Sequence, residues 1–197
     1  MTKITPIILV LILTSSGLFH DRQTVAQVKK KLLVDFIDLV TLGITKSEAL
    51  MAFERVEPKP KKITANVYGV TEKITNERGD EGFVVGVFTF CSDKLVASQG
   101  LFLIKDEKLA NDAFSEVKSE IQRTYSFGWE ESCVTTDACM WKQPNLKYSV
   151  SLIKTLSPDK GVPVIQMTRR FDGLMDTPCL ESIKKELPQA IKKLFGN

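Results

Sequence analysis

Two blocks of strand-forming sequence, separated by one amphipathic segment, restrict the folds open to this chain more than any other feature. The separating segment, residues 106–125, is predicted to be a helix because its apolar residues recur at i, i+3, i+4, i+7 and i+11. Those residues are Ala110, Ala113, Phe114, Val117 and Ile121. Sequence on both sides of this segment is rich in β-branched and aromatic residues and is interrupted by turn residues.

The first block contains three predicted strands, at residues 63–74, 83–90 and 95–104, and the last two form a predicted hairpin across Ser92-Asp93-Lys94. The second block contains four predicted strands, which are separated by turn sequences rich in Pro, Asn, Asp and Gly. Those four strands cover residues 129–135, 139–142, 147–156 and 162–171.

Two further helices are predicted from their caps. Thr45 and Glu48 form a capping box at the start of a short helix, which a Pro-rich linker at residues 57–62 ends. Thr177-Pro178 is a predicted cap and first turn for the closing helix, and Pro188 predicts a kink or break in it. The segment from Val28 to Val40 fits either a helix or a strand.

The element order predicts an α+β fold, in which an antiparallel sheet of hairpins carries helices packed on one face. A chain of 197 residues with 43% hydrophobic residues has enough length for one core. We therefore expect a single domain over residues 27–197, with possible halves at 27–104 and 105–197.

The first 26 residues have the pattern of a signal peptide. Lys3 supplies a positive start, residues 6–13 are uninterruptedly apolar, and Thr24-Val25-Ala26 places small residues before a cleavage site between Ala26 and Gln27. An alternative site follows Gly17. Because a membrane-spanning helix needs about 20 apolar residues, this run predicts export to the periplasm or the exterior. An uncleaved segment that tethers the domain to the membrane is the alternative.

Four cysteines lie after the predicted cleavage site, and an even number in an exported chain predicts pairing. Three connectivities are open. We favour Cys133 with Cys139, because the five residues between them suit a tight hairpin loop, and Cys91 with Cys179. The spacings match neither a four-thiolate zinc site nor a C-x-x-C redox motif.

The only histidine, His20, lies within the predicted signal peptide. The mature chain would therefore lack the imidazole that Ser-His-Asp and Cys-His catalysis and histidine-containing zinc sites require. We predict no enzyme activity, no cofactor and no metal. The formal charge of +3 is spread along the chain, so nucleic acid is not an expected partner.

A resemblance to small bacterial envelope domains of the β-lactamase-inhibitor-protein and BamE type rests on two short runs, LGITKSEA at residues 42–49 and FCSDKLV at residues 90–96. The resemblance covers residues 33–104 and, more weakly, 105–171 as a second copy. It implies a short helical hairpin beside a curved antiparallel sheet, and a role in binding proteins without catalysis. Unlike the lipoprotein members, this chain has no N-terminal lipidation cysteine.

These observations favour a non-enzymatic exported protein that binds another protein through a sheet face or hairpin loops, with membrane contact only through the signal peptide. The alternative is a histidine-independent hydrolase that uses carboxylates or a Ser-x-x-Lys pair. Three such pairs occur: Ser115 with Lys118, Ser151 with Lys154, and Ser182 with Lys185. Trp129 and Trp141 are predicted core residues, and the lysines of the closing helix are expected to face solvent.

Overall fold

The structure is a computed structural model that describes residues 39–75, 81–157 and 161–195. It contains eight strands and three α-helices in these ranges, which confirms the predicted α+β class. The helices are α1 (Lys46–Phe53), α2 (Glu107–Thr124) and α3 (Thr177–Phe195). The first four strands are β1 (Lys61–Lys62), β2 (Val67–Thr75), β3 (Glu81–Cys91) and β4 (Lys94–Leu103). The others are β5 (Glu130–Thr135), β6 (Ala138–Gln143), β7 (Tyr148–Leu156) and β8 (Pro163–Phe171).

All eight strands form one antiparallel sheet in the order β1-β2-β3-β4-β8-β7-β6-β5. Strands β1 to β4 come from the first half of the sequence and β5 to β8 from the second, and within each half successive strands pair with one another. The two halves meet where β4 pairs with β8. The junction has Gly100 opposite Met167 and Phe102 opposite Ile165. As a result, β1 and β5 are the two edge strands of the described sheet.

The register assigns each side chain to one of two faces, because successive residues of a strand point to opposite sides. On β3, Val84 packs in a cluster with α2 and Phe88 in a cluster with α1, whereas Val85 and Val87 pack with α3. We call these the inner face and the outer face. The prediction of helices on one face therefore describes α1 and α2, while α3 packs on the other side of the sheet.

Helix α2 covers the inner face and builds the main core. Its buried residues are the five apolar positions that the sequence periodicity predicts. They pack against side chains from both halves of the sheet, including Phe102, Trp141 and Met167. Trp141 is fully buried, as predicted for a core residue. Each fully buried large side chain contributes about 1.5–3 kcal/mol to stability. Because α2 packs against strands of both halves, this burial holds the two halves together on the inner face.

Helix α3 belongs to the second half of the sequence but packs against β2 and β3 of the first half. Leu187, Ala190 and Leu194 contact the outer face of the sheet. The hydroxyl of Thr71 donates to the carbonyl oxygen of Leu194 at 3.0 Å. The helix is continuous through Pro188, so of the predicted kink or break the break does not occur.

The helix starts depend on side-chain caps. At α1 the predicted capping box is present, since Glu48 N–H donates to Thr45 Oγ1 at 3.2 Å and Thr45 N–H donates to Glu48 Oε2 at 2.8 Å. These bonds to Thr45 hold the pKa of the Glu48 carboxyl below its ordinary value. At α3 the cap lies one residue earlier than predicted, because Cys179 N–H donates to Asp176 Oδ1 at 2.9 Å.

Candidate functional site

The four cysteines form two disulfides, and the pairs are those that the sequence favours. Cys91 at the end of β3 pairs with Cys179 in the first turn of α3, with 5.7 Å between their Cα atoms. Cys133 and Cys139 are directly opposite each other on β5 and β6, with 4.0 Å between their Cα atoms. The first bridge ties the outer-face helix to the sheet, and the second braces a surface hairpin.

Disulfides persist in oxidising compartments and are rare in the cytosol. The two bridges therefore indicate that the folded chain matures in an oxidising environment outside the cytosol. Among the described residues, no helix has both the length and the apolar character needed to cross a membrane. The predicted cleavage site at Ala26 and Gln27 lies outside the described residues.

The two edges of the sheet differ in how much backbone they offer to another strand. β1 is two residues long, follows Pro60 and consists of Lys61 and Lys62, which are features that protect sheet edges from pairing. β5 is six residues long, and all six side chains are exposed. In the described sheet β5 pairs with β6 and has no strand on its other side. It is therefore the more accessible edge.

The register shows which backbone groups of β5 point outward. In antiparallel pairs, residues that exchange no backbone hydrogen bonds have Cα atoms about 4.5 Å apart, and the 4.0 Å between Cys133 and Cys139 identifies that kind of pair. Glu131, two residues earlier and opposite Trp141, belongs to the same kind of pair. The N–H and C=O groups of Glu131 and Cys133 therefore point away from β6 and towards solvent.

Two large apolar side chains lie near the two ends of this strand. Phe127, in the loop before β5, is 97% exposed, and Val134, next to the disulfide, is 88% exposed. We call Phe127 together with Glu130–Thr135 the β5 edge. Singly exposed apolar residues are common, but here two of them flank an accessible strand. The register shift between Cys133 and Thr135 places Val134 at a bulge.

A row of aromatic side chains supports the loop that carries Phe127. Tyr125, the C-cap of α2, lies 4.6 Å from Trp129 between ring centroids, and Trp129 lies 5.7 Å from Tyr148. Tyr148 continues the row to Phe171 at 5.9 Å, and its hydroxyl accepts from Nη2 of buried Arg169 at 2.9 Å. Trp129 is half-buried and supports the loop, while Phe127 between Tyr125 and Trp129 faces solvent.

Glu131, Cys133 and Cys139 place one oxygen and two sulfur atoms close together. Both sulfurs are consumed by the disulfide, and the thiolate is the form of cysteine that binds metal. Nε2 of Gln122 donates to the Glu131 carboxylate at 3.0 Å. With the disulfide formed, this cluster therefore offers a metal ion only one ordinary ligand, the carboxylate of Glu131.

The Ser-x-x-Lys pairs do not form serine–lysine contacts in the described structure. Ser115 Oγ donates to the carbonyl oxygen of Asn111 at 2.9 Å, and Ser182 Oγ donates to Glu186 Oε1 at 2.6 Å. Ser151 and Lys154 point to opposite faces of β7, and Lys154 pairs with Asp137 at 3.0 Å.

Sequence patterns do not predict the exposure of the two apolar side chains of the β5 edge, Phe127 and Val134. Phe127 lies between Ser126 and Gly128, and Gly128 has a φ of +76°. Ser and Gly are turn-forming residues, and a turn at residues 126–128 is the one local signal that places Phe127 at the surface. Val134 carries no such mark, because its exposure follows from the position of β5 at the end of the sheet.

Comparisons of the chain with protein-family models, curated proteins and solved structures return no match. The resemblance to envelope domains remains a prediction.

Proposed function

We propose that this chain is an exported, non-enzymatic protein, periplasmic or secreted, that binds a protein partner by adding a strand of that partner to the β5 edge. The observation that carries this proposal is the accessible strand Glu130–Thr135, flanked by the exposed side chains of Phe127 and Val134. Strand addition supplies backbone hydrogen bonds, while flanking side chains give the contact its specificity.

The β5 edge is supported in a fixed shape, which favours binding. The Cys133–Cys139 bridge holds β5 to β6, and the contact between Tyr125 and Trp129 holds the two ends of the loop that carries Phe127. A preorganised surface loses less conformational freedom when a partner binds. Aromatic side chains such as Phe127 are also enriched in protein interfaces.

Export is supported by the two disulfides and by the charge and hydropathy pattern of the first 26 residues. Mass spectrometry of the protein isolated from its natural source tests this part of the proposal. We expect a mature N-terminus at Gln27 and four cysteines without reactive thiols. An intact Met1 together with titratable thiols would contradict export.

The backbone contact is tested by a matched pair of substitutions at Glu131. Glu131→Pro removes an outward N–H and leaves the bonds to β6 in place, whereas Glu131→Ala removes the carboxylate and keeps the N–H. Proline is tolerated on edge strands. We expect chemical crosslinking in producing cells to capture the partner with wild type and with Glu131→Ala, and at least tenfold less of it with Glu131→Pro. Equal capture by the two variants would contradict strand addition.

The side-chain contact is tested by Phe127→Ser combined with Val134→Ser. The control combines Met51→Ser with Leu156→Ser, because these apolar residues are 59% and 62% exposed elsewhere on the molecule. Exposed substitutions change stability by about 0.5 kcal/mol or less, so both variants should fold. We expect only the first to lose the crosslinked partner, and equal loss in both would mean that the contact lies elsewhere.

A further inference from the structure

The solvent side of α3 is basic. The exposed residues of this helix recur at helical spacing, so they share one side, opposite the side that packs on the sheet. After the first turn they are Glu181, Lys184, Lys185, Pro188, Gln189, Lys192 and Lys193. Because the rise is about 1.5 Å per residue, the lysines extend over about 13 Å of helix.

The tertiary structure brings one more lysine beside this helix. Lys61 of β1 is opposite Gly69 of β2, and Leu194 of α3 packs directly on Gly69. Just after β1, Thr64 and Asn66 both donate to the carboxylate of Glu186. Strand β1 therefore runs along α3 between Glu186 and Leu194. Lys61, opposite Gly69, points to the outer face, whereas Lys62, opposite Tyr68, points to the inner face. We call Lys61, Lys184, Lys185, Lys192 and Lys193 the lysine surface.

The nearby carboxylates leave this surface positive. Glu181 pairs with Lys184 at 2.7 Å, and half-buried Glu186 is engaged by Thr64, Asn66 and Ser182. Among the described residues, the other four lysines of the surface have no carboxylate within salt-bridge distance. In the described part of the chain, five cations therefore share this side of the molecule with two acidic groups that already have partners.

We infer that the lysine surface binds the anionic headgroups of a phospholipid membrane, with α3 lying along the membrane plane. Lysine provides point charges and lacks the planar fork with which arginine recognises an individual phosphate. A straight row of lysines is therefore suited to binding an extended anionic surface by its charge density, and not to recognising one phosphate group. Each lysine near an anionic bilayer strengthens binding about fivefold.

The location of the lysine surface is compatible with simultaneous partner binding. Strand β1 and strand β5 are the opposite edges of the sheet. A molecule held to a membrane through Lys61 and α3 therefore keeps its β5 edge away from the bilayer. Membrane contact at α3 does not depend on the proposed function of the β5 edge, and it adds a contact beyond the signal peptide.

Vesicle sedimentation tests the inference on the full, disulfide-bonded protein. We expect binding to vesicles of phosphatidylcholine with about 30% phosphatidylglycerol and at least tenfold weaker binding to pure phosphatidylcholine. Between about 50 and 500 mM salt the binding should be lost, because exposed charges are screened. Binding that does not depend on the anionic lipid or on salt would overturn the inference.

Two variants, each with four lysines replaced, show which lysines are responsible for vesicle binding. In the first, Lys184, Lys185, Lys192 and Lys193 are replaced by Gln. In the control, four exposed lysines of other elements, Lys94, Lys105, Lys142 and Lys147, are replaced by Gln. We expect the first variant to bind at least a hundredfold more weakly and the control to lose far less.

Equal losses in the two variants would show a general effect of charge and would overturn the inference. Circular dichroism of both variants shows whether they are folded. If the first variant is unfolded, the single substitutions Lys185→Gln and Lys192→Gln, each expected to weaken binding about fivefold, replace it. Lysine-dependent binding to heparin without binding to anionic vesicles would identify a soluble polyanion as the ligand and would also overturn the inference.

Discussion

Gly69 of β2 and Leu194 of α3 are in direct contact. A Cβ atom placed on Gly69 would lie 2.5 Å from Cδ1 of Leu194, closer than two carbon atoms pack. The absence of a side chain at Gly69 is therefore what allows the last turn of α3 to lie on the sheet beside β1. This contact sets the position of the lysine surface relative to Lys61.

Gly69→Val should displace α3 and lower the free energy of unfolding by about 1–3 kcal/mol, the usual cost of overpacking. Leu194→Ala alone should also destabilise, because it removes packing. In urea unfolding, the double variant should lose less than the sum of the two single losses, since Leu194→Ala makes room for the new side chain. Additive losses would show that the two residues do not share this contact.

The two disulfides should differ in their contribution to stability. The Cys91–Cys179 bridge closes a separation of 88 residues and the Cys133–Cys139 bridge one of 6. In the loop-entropy description these correspond to about 4.6 and about 2.2 kcal/mol. We compare the variants in which both cysteines of a pair are replaced by Ala, using denaturant unfolding without reductant. A larger loss from removing the short bridge would contradict this order.

Unfolding of the protein should depend on pH through Glu186. Burial raises the pKa of this carboxyl, but bonds from Ser182, Thr64 and Asn66 outweigh burial and hold the pKa below its ordinary value of 4.5. The folded state therefore gains stability at pH values above 4.5 and loses this contribution as the pH falls through the lowered pKa. The difference in unfolding free energy between wild type and Glu186→Gln should be largest near neutral pH and shrink in acid.

Ser182→Ala provides the control for that prediction. It removes one donor to Glu186 Oε1 and should move the pKa of Glu186 upward, as measured by carboxyl-carbon NMR titration. An unchanged titration would show that the bond from Ser182 does not stabilise the carboxylate.

The sequence and the structure assign the cap of α3 to different residues: the sequence predicts Thr177, and the structure shows Asp176. Asp176→Ala should destabilise by about 1 kcal/mol, because it removes the acceptor for Cys179 N–H. Thr177→Ala should have a smaller effect, although the pattern Thr177-Pro178 predicts that residue as the cap. Thermal or urea unfolding of the two variants measures the difference, and a larger effect at Thr177 would restore the original prediction.

Much of the local structure is predictable because it depends on short-range periodicity and caps. Helix α2 lies within its predicted range, with Asp106 and Tyr125 as its caps. The strands of the second block begin and end within one residue of their predicted limits. Cys133 and Cys139 are close in sequence, so a hairpin brings them together without help from the rest of the chain.

The sequence by itself predicted the α+β class, the three helices, strands β2 to β8 and the Cys133–Cys139 hairpin bridge, because the local patterns depend on neighbouring residues. Strand β1 lies within the predicted linker at residues 57–62, so that prediction is wrong at Lys61 and Lys62. Only the tertiary structure decided that β4 pairs with β8, that α3 crosses to the outer face, and that β5 lies at an edge. These arrangements join residues that are distant in the chain, and their stability comes from packing such as that of Leu194 on Gly69. Local patterns predict that the lysines of the closing helix face solvent, but they carry no information on distant contacts, so the β5 edge and the position of Lys61 beside α3 are visible only in the folded molecule.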